Sequence, residues 1–149
     1  MIQTITWRHI SLIWITELWA NRTSPIEKVS HMMLEGPDMD NSKFEPTFFG
    51  YYDGANLVGV NSGHMCCDGN YRSRGLYVKP QYRGQGIGQQ LLQATIDQGK
   101  REKAKLAWSY PRQTSWPTYK AVGFDLVSDW QPTETSENNA KCSMILVVN

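Results

Sequence analysis

The 149-residue chain is 40% hydrophobic and 19% charged, the balance of one soluble domain large enough to bury a core without metal or disulfide staples. Its formal net charge of +1 removes any global electrostatic argument for nucleic acid or an anionic membrane as partner, so anion binding has to be local. Three cysteines (Cys66, Cys67, Cys142) are too few for a disulfide framework. No basic leader precedes Ile10 to Trp19, and no apolar run nears the ~20 residues that span a bilayer, so the expectation is a reduced, cytoplasmic protein.

Ile2 to Trp7 alternates apolar and polar residues and reads as a strand. Ile10, Ile13, Trp14 and Leu18 recur at helical spacing and predict an amphipathic helix ending near Asn21. Ser24 as N-cap with Pro25 at the first helical position predicts a second helix to about Leu34, stopped by Gly36 and Pro37. Glu35 to Pro46 is a polar loop. Thr47 to Asp53 and Asn56 to Cys67 flank the hairpin signal Asp53-Gly54, and Tyr71 to Val78 continues the meander after Asp68-Gly69-Asn70. Adjacent Cys66 and Cys67 then point to opposite faces of a strand. A long helix runs from Gly86 to about Lys100 and a short strand from Leu106 to Tyr110. A helix follows from Thr114 to Val122, with Pro117 in its first turn and Gly123 as its stop. Phe124 to Trp130 and Cys142 to Val148 are the last strands, separated by the loop Gln131 to Lys141. The order is β-α-α-β-β-β-α-β-α-β-β, a mixed α/β (α+β) fold in one domain over residues 1–149.

The segment with most chemical content is Arg83-Gly84-Gln85-Gly86-Ile87-Gly88. It sits between a strand and a helix, and its three glycines leave backbone N–H groups free to turn toward one anion. The helix dipole adds to that field, so the segment is suited to a phosphate or pyrophosphate. A Walker-type loop is excluded because no Gly-Lys-Ser/Thr closes it. A Rossmann turn is disfavoured, since Gln89 occupies the last glycine position and the next strand ends in Tyr110-Pro111 without a ribose-binding acid. A flexible turn before a helix is the remaining reading of the glycines alone.

Val78-x-Pro80-x-x-Arg83-Gly84-x-Gly86-Ile87-Gly88 followed by Leu91-Leu92 resembles the acetyl-CoA-binding motif of the GNAT N-acetyltransferase superfamily. Tyr119-Lys120-Ala121-Val122-Gly123-Phe124 resembles its second motif, a helix carrying a tyrosine and ending in Gly-Phe. The spacing of the two motifs and the element order fit over nearly the whole chain. Before about Asn41 the resemblance rests on helix position alone. The resemblance implies a central, mostly antiparallel sheet of about seven strands, splayed between the fourth and fifth and flanked by four helices. It implies acetyl-CoA as cosubstrate, with Arg83, Gly84, Gln85, Gly86, Ile87, Gly88 and Gln89 around the pyrophosphate. Leu76, Tyr77 and Val78 lie on the strand whose exposed edge pairs with pantetheine; Gly75 is placed to permit the bulge that exposes it.

The same resemblance makes Tyr119 the general acid toward the departing thiolate, against a purely structural buried tyrosine. Backbone N–H near Val78 would polarise the thioester carbonyl. Arg112 stands where the family often has asparagine, and reads either as a phosphate contact or as a solvated loop charge. Trp116-Pro117 is unusual so close to Tyr119. For the general base, His64 and Asp129 are candidates, with a structural histidine and a water chain as the alternatives. Asp129, Glu134 and Glu137 read either as a solubilising loop or as acids bordering the acceptor site, where a cationic amine would fit. Trp14, Trp19 and Trp130 are core residues by default, with the same cleft as the alternative. His9, His31 and His64 show no metal-ligand spacing with the cysteines, so no metal is expected. The acceptor is a small-molecule or protein amine, with neither nucleic acid nor membrane as partner and a homodimer left open. The rival function is a module on the same fold that binds CoA, or a partner protein, without turnover.

Overall fold

A computed structural model describes residues 1–134 and 137–146. The chain opens with strand β1 (Ile2–Ile5), and Thr6 caps helix α1 (Trp7–Ile13) by accepting the His9 N–H at 3.3 Å. A π-helical turn, Trp14–Leu18, completes this element, so the predicted helix starts earlier and ends earlier than its periodicity suggested. The meander is β2 (Thr47–Asp53), β3 (Asn56–Met65) and β4 (Tyr71–Val78). Helix α2 (Ile87–Arg101), β5 (Leu106–Ser109), α3 (Trp116–Val122) and β6 (Asp125–Leu126) follow. The chain then forms a small hairpin of β7 (Gln131–Pro132) with β8 (Asn138–Asn139) and ends in β9 (Cys142–Ile145).

Seven strands form one sheet in the order β1-β2-β3-β4-β5-β9-β6, antiparallel except for β4 with β5. Helices α2 and α3 cover one face through Tyr71, Leu92, Ile96, Ala107, Tyr119 and Phe124. Helix α1, through Ile10 and Ile13, and the π-turn, through Trp14, cover the other against Phe48 and Val60. Fully buried side chains such as Leu91 and Leu92 contribute roughly 1.5–3 kcal/mol each from leaving water.

The described residues hold three α-helices where four were expected. The helix predicted from Ser24 to Leu34 is absent: residues 19–46 carry neither helix nor strand. The Ser24 hydroxyl donates to Glu134 Oε1 rather than capping a helix. Backbone groups that a helix would pair internally are taken by distant side chains. Ser30 N–H donates to His64 Nε2, the Ser30 carbonyl accepts from Asn41, and the Glu27 carbonyl accepts from Arg74. Lys141 Nζ donates to both the Met33 and Leu34 carbonyls. Two further corrections concern strands. The one predicted from Phe124 to Trp130 shrinks to two residues, and part of the loop after it pairs as β7 with β8. Cys66 and Cys67 follow the end of β3 instead of lying within it; all three cysteines are free thiols. The predicted end of the last strand at Val147 and Val148 lies outside the described residues. Among those described, no helix is long and apolar enough to cross a membrane.

Candidate active site

The sheet opens between β4 and β5. The two strands pair only at Tyr71↔Ala107 and Arg72↔Trp108, so the rest of β4 has a free edge. Near its middle β4 bulges: Arg74 faces Ser62 and Tyr77 faces Val60, leaving Gly75 and Leu76 opposite Asn61 alone. Gly75 has φ +79, and a Cβ there would lie 2.3 Å from Trp14 Cζ2; its carbonyl accepts Trp14 Nε1–H at 2.9 Å. Only glycine meets both demands. Beyond the bulge, Lys79 N–H bonds to the Val58 carbonyl on β3. Alternation then turns the backbone groups of Leu76 and Val78 to the open edge.

At the end of that edge lies the glycine loop. Gly84 and Gly86 have φ +80 and +79, and Gly86 opens α2. Gln90 N–H is the first to bond back, to the Gly86 carbonyl, so the preceding N–H groups of Ile87, Gly88 and Gln89 have no helical partner. No acid lies in the first helical turn, which leaves the positive dipole end unneutralised. Arg83 Nε donates to the Val78 carbonyl at 2.8 Å and its guanidinium stands 5.4 Å from the Tyr77 ring centroid. A cavity of about 570 Å³ follows this loop, with Leu76, Tyr77, Val78, Arg83, Gly84 and Gly86 in its wall. Ile87, Gly88, Gln89 and Arg112 line it too, whereas Gln85 does not.

A second cavity of about 430 Å³ adjoins it, sharing Leu18, Leu76, Arg112 and Ser115. Tyr119 lines it from helix α3, whose first turn accommodates Pro117. The tyrosine is 2% exposed. Its hydroxyl lies 2.9 Å from Ser73 Oγ and 3.0 Å from Ser109 Oγ. Ser109 sends its one hydroxyl proton to the Ser73 carbonyl at 2.6 Å, and Ser73 Oγ accepts from Asn61 Nδ2 at 3.0 Å. With those donors assigned, Ser73 Oγ–H donates to the Tyr119 oxygen and the phenol proton rests on Ser109 Oγ, while Asn61 Oδ1 is left buried without a partner. Burial pushes the Tyr119 pKa up to about 12, so the phenol stays protonated through neutral pH.

Other predicted residues fall elsewhere. His64 is buried on β3 and lines neither cavity, with Nε2 accepting Ser30 N–H and Nδ1–H donating to the Met65 carbonyl. Neither ring nitrogen is left for a substrate proton, and burial lowers its pKa to about 3. Asp129 is exposed and lines neither cavity. Arg112 is a tether: Nη2 donates to the Leu18 carbonyl at 2.5 Å and Nη1 pairs with Glu137 at 2.9 Å. Glu134 pairs with Arg22 at 3.8 Å. Trp19 lines the second cavity, whereas Trp14 is core. Sequence reasoning missed Arg72 and Arg74 in the second cavity. Their signal was two arginines at i and i+2 on a strand destined for the interior.

Residues 13–124 match the model of the acetyltransferase (GNAT) family. An acetyltransferase of that family from Staphylococcus aureus superposes with a TM-score of 0.68 at 14% identity, covering 99% of each chain. The ribosomal-protein-S18-alanine N-acetyltransferase of Escherichia coli gives 0.67 at 15% identity, over 100% of this chain and 95% of its own. IAA acetyltransferase from Bacillus cereus gives 0.61 at 15% identity, over 68% and 78%. No curated protein matches the chain in sequence. At such identities the superpositions speak for the fold alone.

Proposed function

From the premise that the chain belongs to the GNAT acetyltransferase family, and is thus an acyl-CoA-dependent N-acetyltransferase, we propose that it transfers acetyl from acetyl-CoA to a primary amine by direct attack in a ternary complex. One observation carries this reading: the free edge of β4 runs from the glycine loop to the Tyr119 cavity, and the two cavities meet at Leu76. The loop N–H groups suit a pyrophosphate. The edge groups of Leu76 and Val78 suit the two pantetheine amides. Acetyl-CoA supplies an activated acyl group as its thioester.

In this scheme a backbone N–H at the Leu76 end of the edge, which borders the Tyr119 cavity, polarises the thioester carbonyl, which accumulates charge as the amine attacks. Tyr119, kept protonated by burial, turns its one proton from Ser109 toward the departing thiolate, while Ser73 Oγ–H goes on donating to its oxygen. Its pKa of about 12 lies above the ~8.5 of a free thiol, so it acts chiefly by hydrogen bonding, with the Ser73–Ser109 pair holding its hydroxyl in place. His64 is structural in this scheme and Asp129 takes no part. The amine proton leaves through water toward the exposed carboxylates of Glu27 and Asp38, which line the acceptor cavity.

The test is release of free thiol from acetyl-CoA across a panel of primary amines. At least one amine is expected to support turnover. Tyr119→Phe should keep the thermal stabilisation by acetyl-CoA and lose about 10²-fold or more in thiol release. A wild-type protein that binds acetyl-CoA and releases thiol with no amine would be a binding module instead.

A further inference from the structure

Arg72 and Arg74 are 7% and 4% exposed, two residues apart on β4, and both line the acceptor cavity. Among the described residues neither has a carboxylate within ion-pair distance, whereas Arg22 and Arg112 each have one. Arg72 donates Nη1 to Ser30 Oγ at 2.8 Å and makes a long contact from Nε to the Ser73 carbonyl. Arg74 donates Nη1 to the Glu27 carbonyl at 2.7 Å. These neutral acceptors use a minority of ten N–H donors. The guanidinium planes are steadied by indoles: Arg72 lies 4.6 Å from the Trp108 centroid, and Arg74 lies 5.0 and 5.2 Å from those of Trp14 and Trp19. Aromatic faces orient a guanidinium without neutralising it. Burial, and behind it the Arg72 charge, lower the Arg74 pKa to about 9. Glu27 acts on Arg74 only from beyond ion-pair distance, and two buried, oriented cations without a contacting carboxylate in one cavity are costly unless an anion joins them.

On the acetyltransferase reading above, we infer that the acceptor is a small amine carrying a carboxylate, an amino-acid-type substrate whose carboxylate is held by Arg72 and Arg74. The anion belongs to the acceptor because the phosphates of the donor have their own cradle at the far end of β4. The cavity also holds Tyr119, where transfer occurs, and its volume of about 430 Å³ suits a small molecule. The acids that pointed to a cationic acceptor do not oppose this. Glu134 is paired with Arg22, Glu137 with Arg112, and Asp129 faces solvent. A planar carboxylate matches the guanidinium fork.

L-Amino acids are compared with their amides and with aminoalkylphosphonates on the wild-type protein. Two readouts are taken: thermal stabilisation without acetyl-CoA, and kcat/KM for thiol release. Amino acids should stabilise the protein, and their amides should fall by about tenfold or more in kcat/KM for loss of a charge-assisted pair. Arg74→Met should keep or raise the melting temperature of the free protein, because it removes an unpaired buried charge, while abolishing the amino-acid-dependent shift. Equal performance of amides, preference for phosphonates, or an undiminished shift in R74M would each overturn the assignment. Should R74M not fold, the amino-acid and amide comparison on the wild type decides. Turnover only with carboxylate-free amines sinks this inference and leaves the transferase standing. Amino-acid stabilisation without thiol release from any amine keeps the site and sinks the transfer reaction.

Discussion

His64 and Tyr119 are both buried and hydrogen-bonded, and burial moves their pKa values in opposite directions because their charged forms differ in sign. For His64 the consequence is a stability dependence. Its folded pKa of about 3 lies below the ~6.5 of an unfolded histidine. Between those values the unfolded chain binds a proton that the folded protein excludes, so stability falls as pH falls. The slope from this residue approaches 1.4 kcal/mol per pH unit at about pH 4–6. Urea unfolding from pH 7 to pH 4 should show the wild type losing more stability than His64→Gln, a comparison that cancels the shared carboxylate contribution. Parallel curves would mean that His64 protonates freely in the folded state. Tyr119 adds no such slope at neutral or acid pH, because both its folded and unfolded forms are protonated there.

Strand β4 shows which elements a sequence discloses and which it conceals. Its bounds, the glycine loop and α2 were legible because local rules decide them: alternation, turn residues and apolar spacing lie within a few positions of one another. The Ser24–Leu34 segment carries an equally local helix signal, yet its backbone groups bond to His64, Arg74 and Lys141, 34 to 108 positions away. No local pattern encodes such partners, and tertiary pairing overrides propensity. The bulge lies between these cases. Gly75 was readable as its site; Trp14, which fills the space above it, was not. Gly75→Ala would combine a left-handed backbone with a collision against the indole. It should cost about 2–4 kcal/mol and weaken acetyl-CoA stabilisation by disturbing the β4 edge. Gly69→Ala is the control, with φ +82 and open space around it, and should cost only about 1–2 kcal/mol. Equal losses in chemical denaturation would remove the Trp14 contact from the explanation.

At the scale of the molecule, the two halves of the site rest on different kinds of structure. The donor cavity is walled by the π-turn end, β4, the glycine loop, α2 and the α3 region, and residues 19–46 take no part in it. That segment supplies one wall of the acceptor cavity, through Trp19, Arg22, Glu27, Ser30 and neighbours. Without helix or strand, its shape depends on side-chain ties, and Asn41 gathers several of them. Fully buried, Asn41 donates Nδ2 to the Ser30 carbonyl at 2.8 Å, accepts Cys67 N–H on Oδ1 at 2.9 Å, and donates its own N–H to His31 Nδ1 at 3.1 Å. Asn41→Ala leaves the Ser30 carbonyl and the Cys67 N–H without partners, at about 1–3 kcal/mol each. Stability should fall by several kcal/mol without any change in the regular core. The functional effect should be one-sided: acceptor KM rises several-fold, while the acetyl-CoA dissociation constant, read by titration below the melting transition, stays within about twofold of wild type. A matching loss of acetyl-CoA affinity would show the two walls to be coupled through β4. An unchanged acceptor KM would move the acceptor away from this segment altogether.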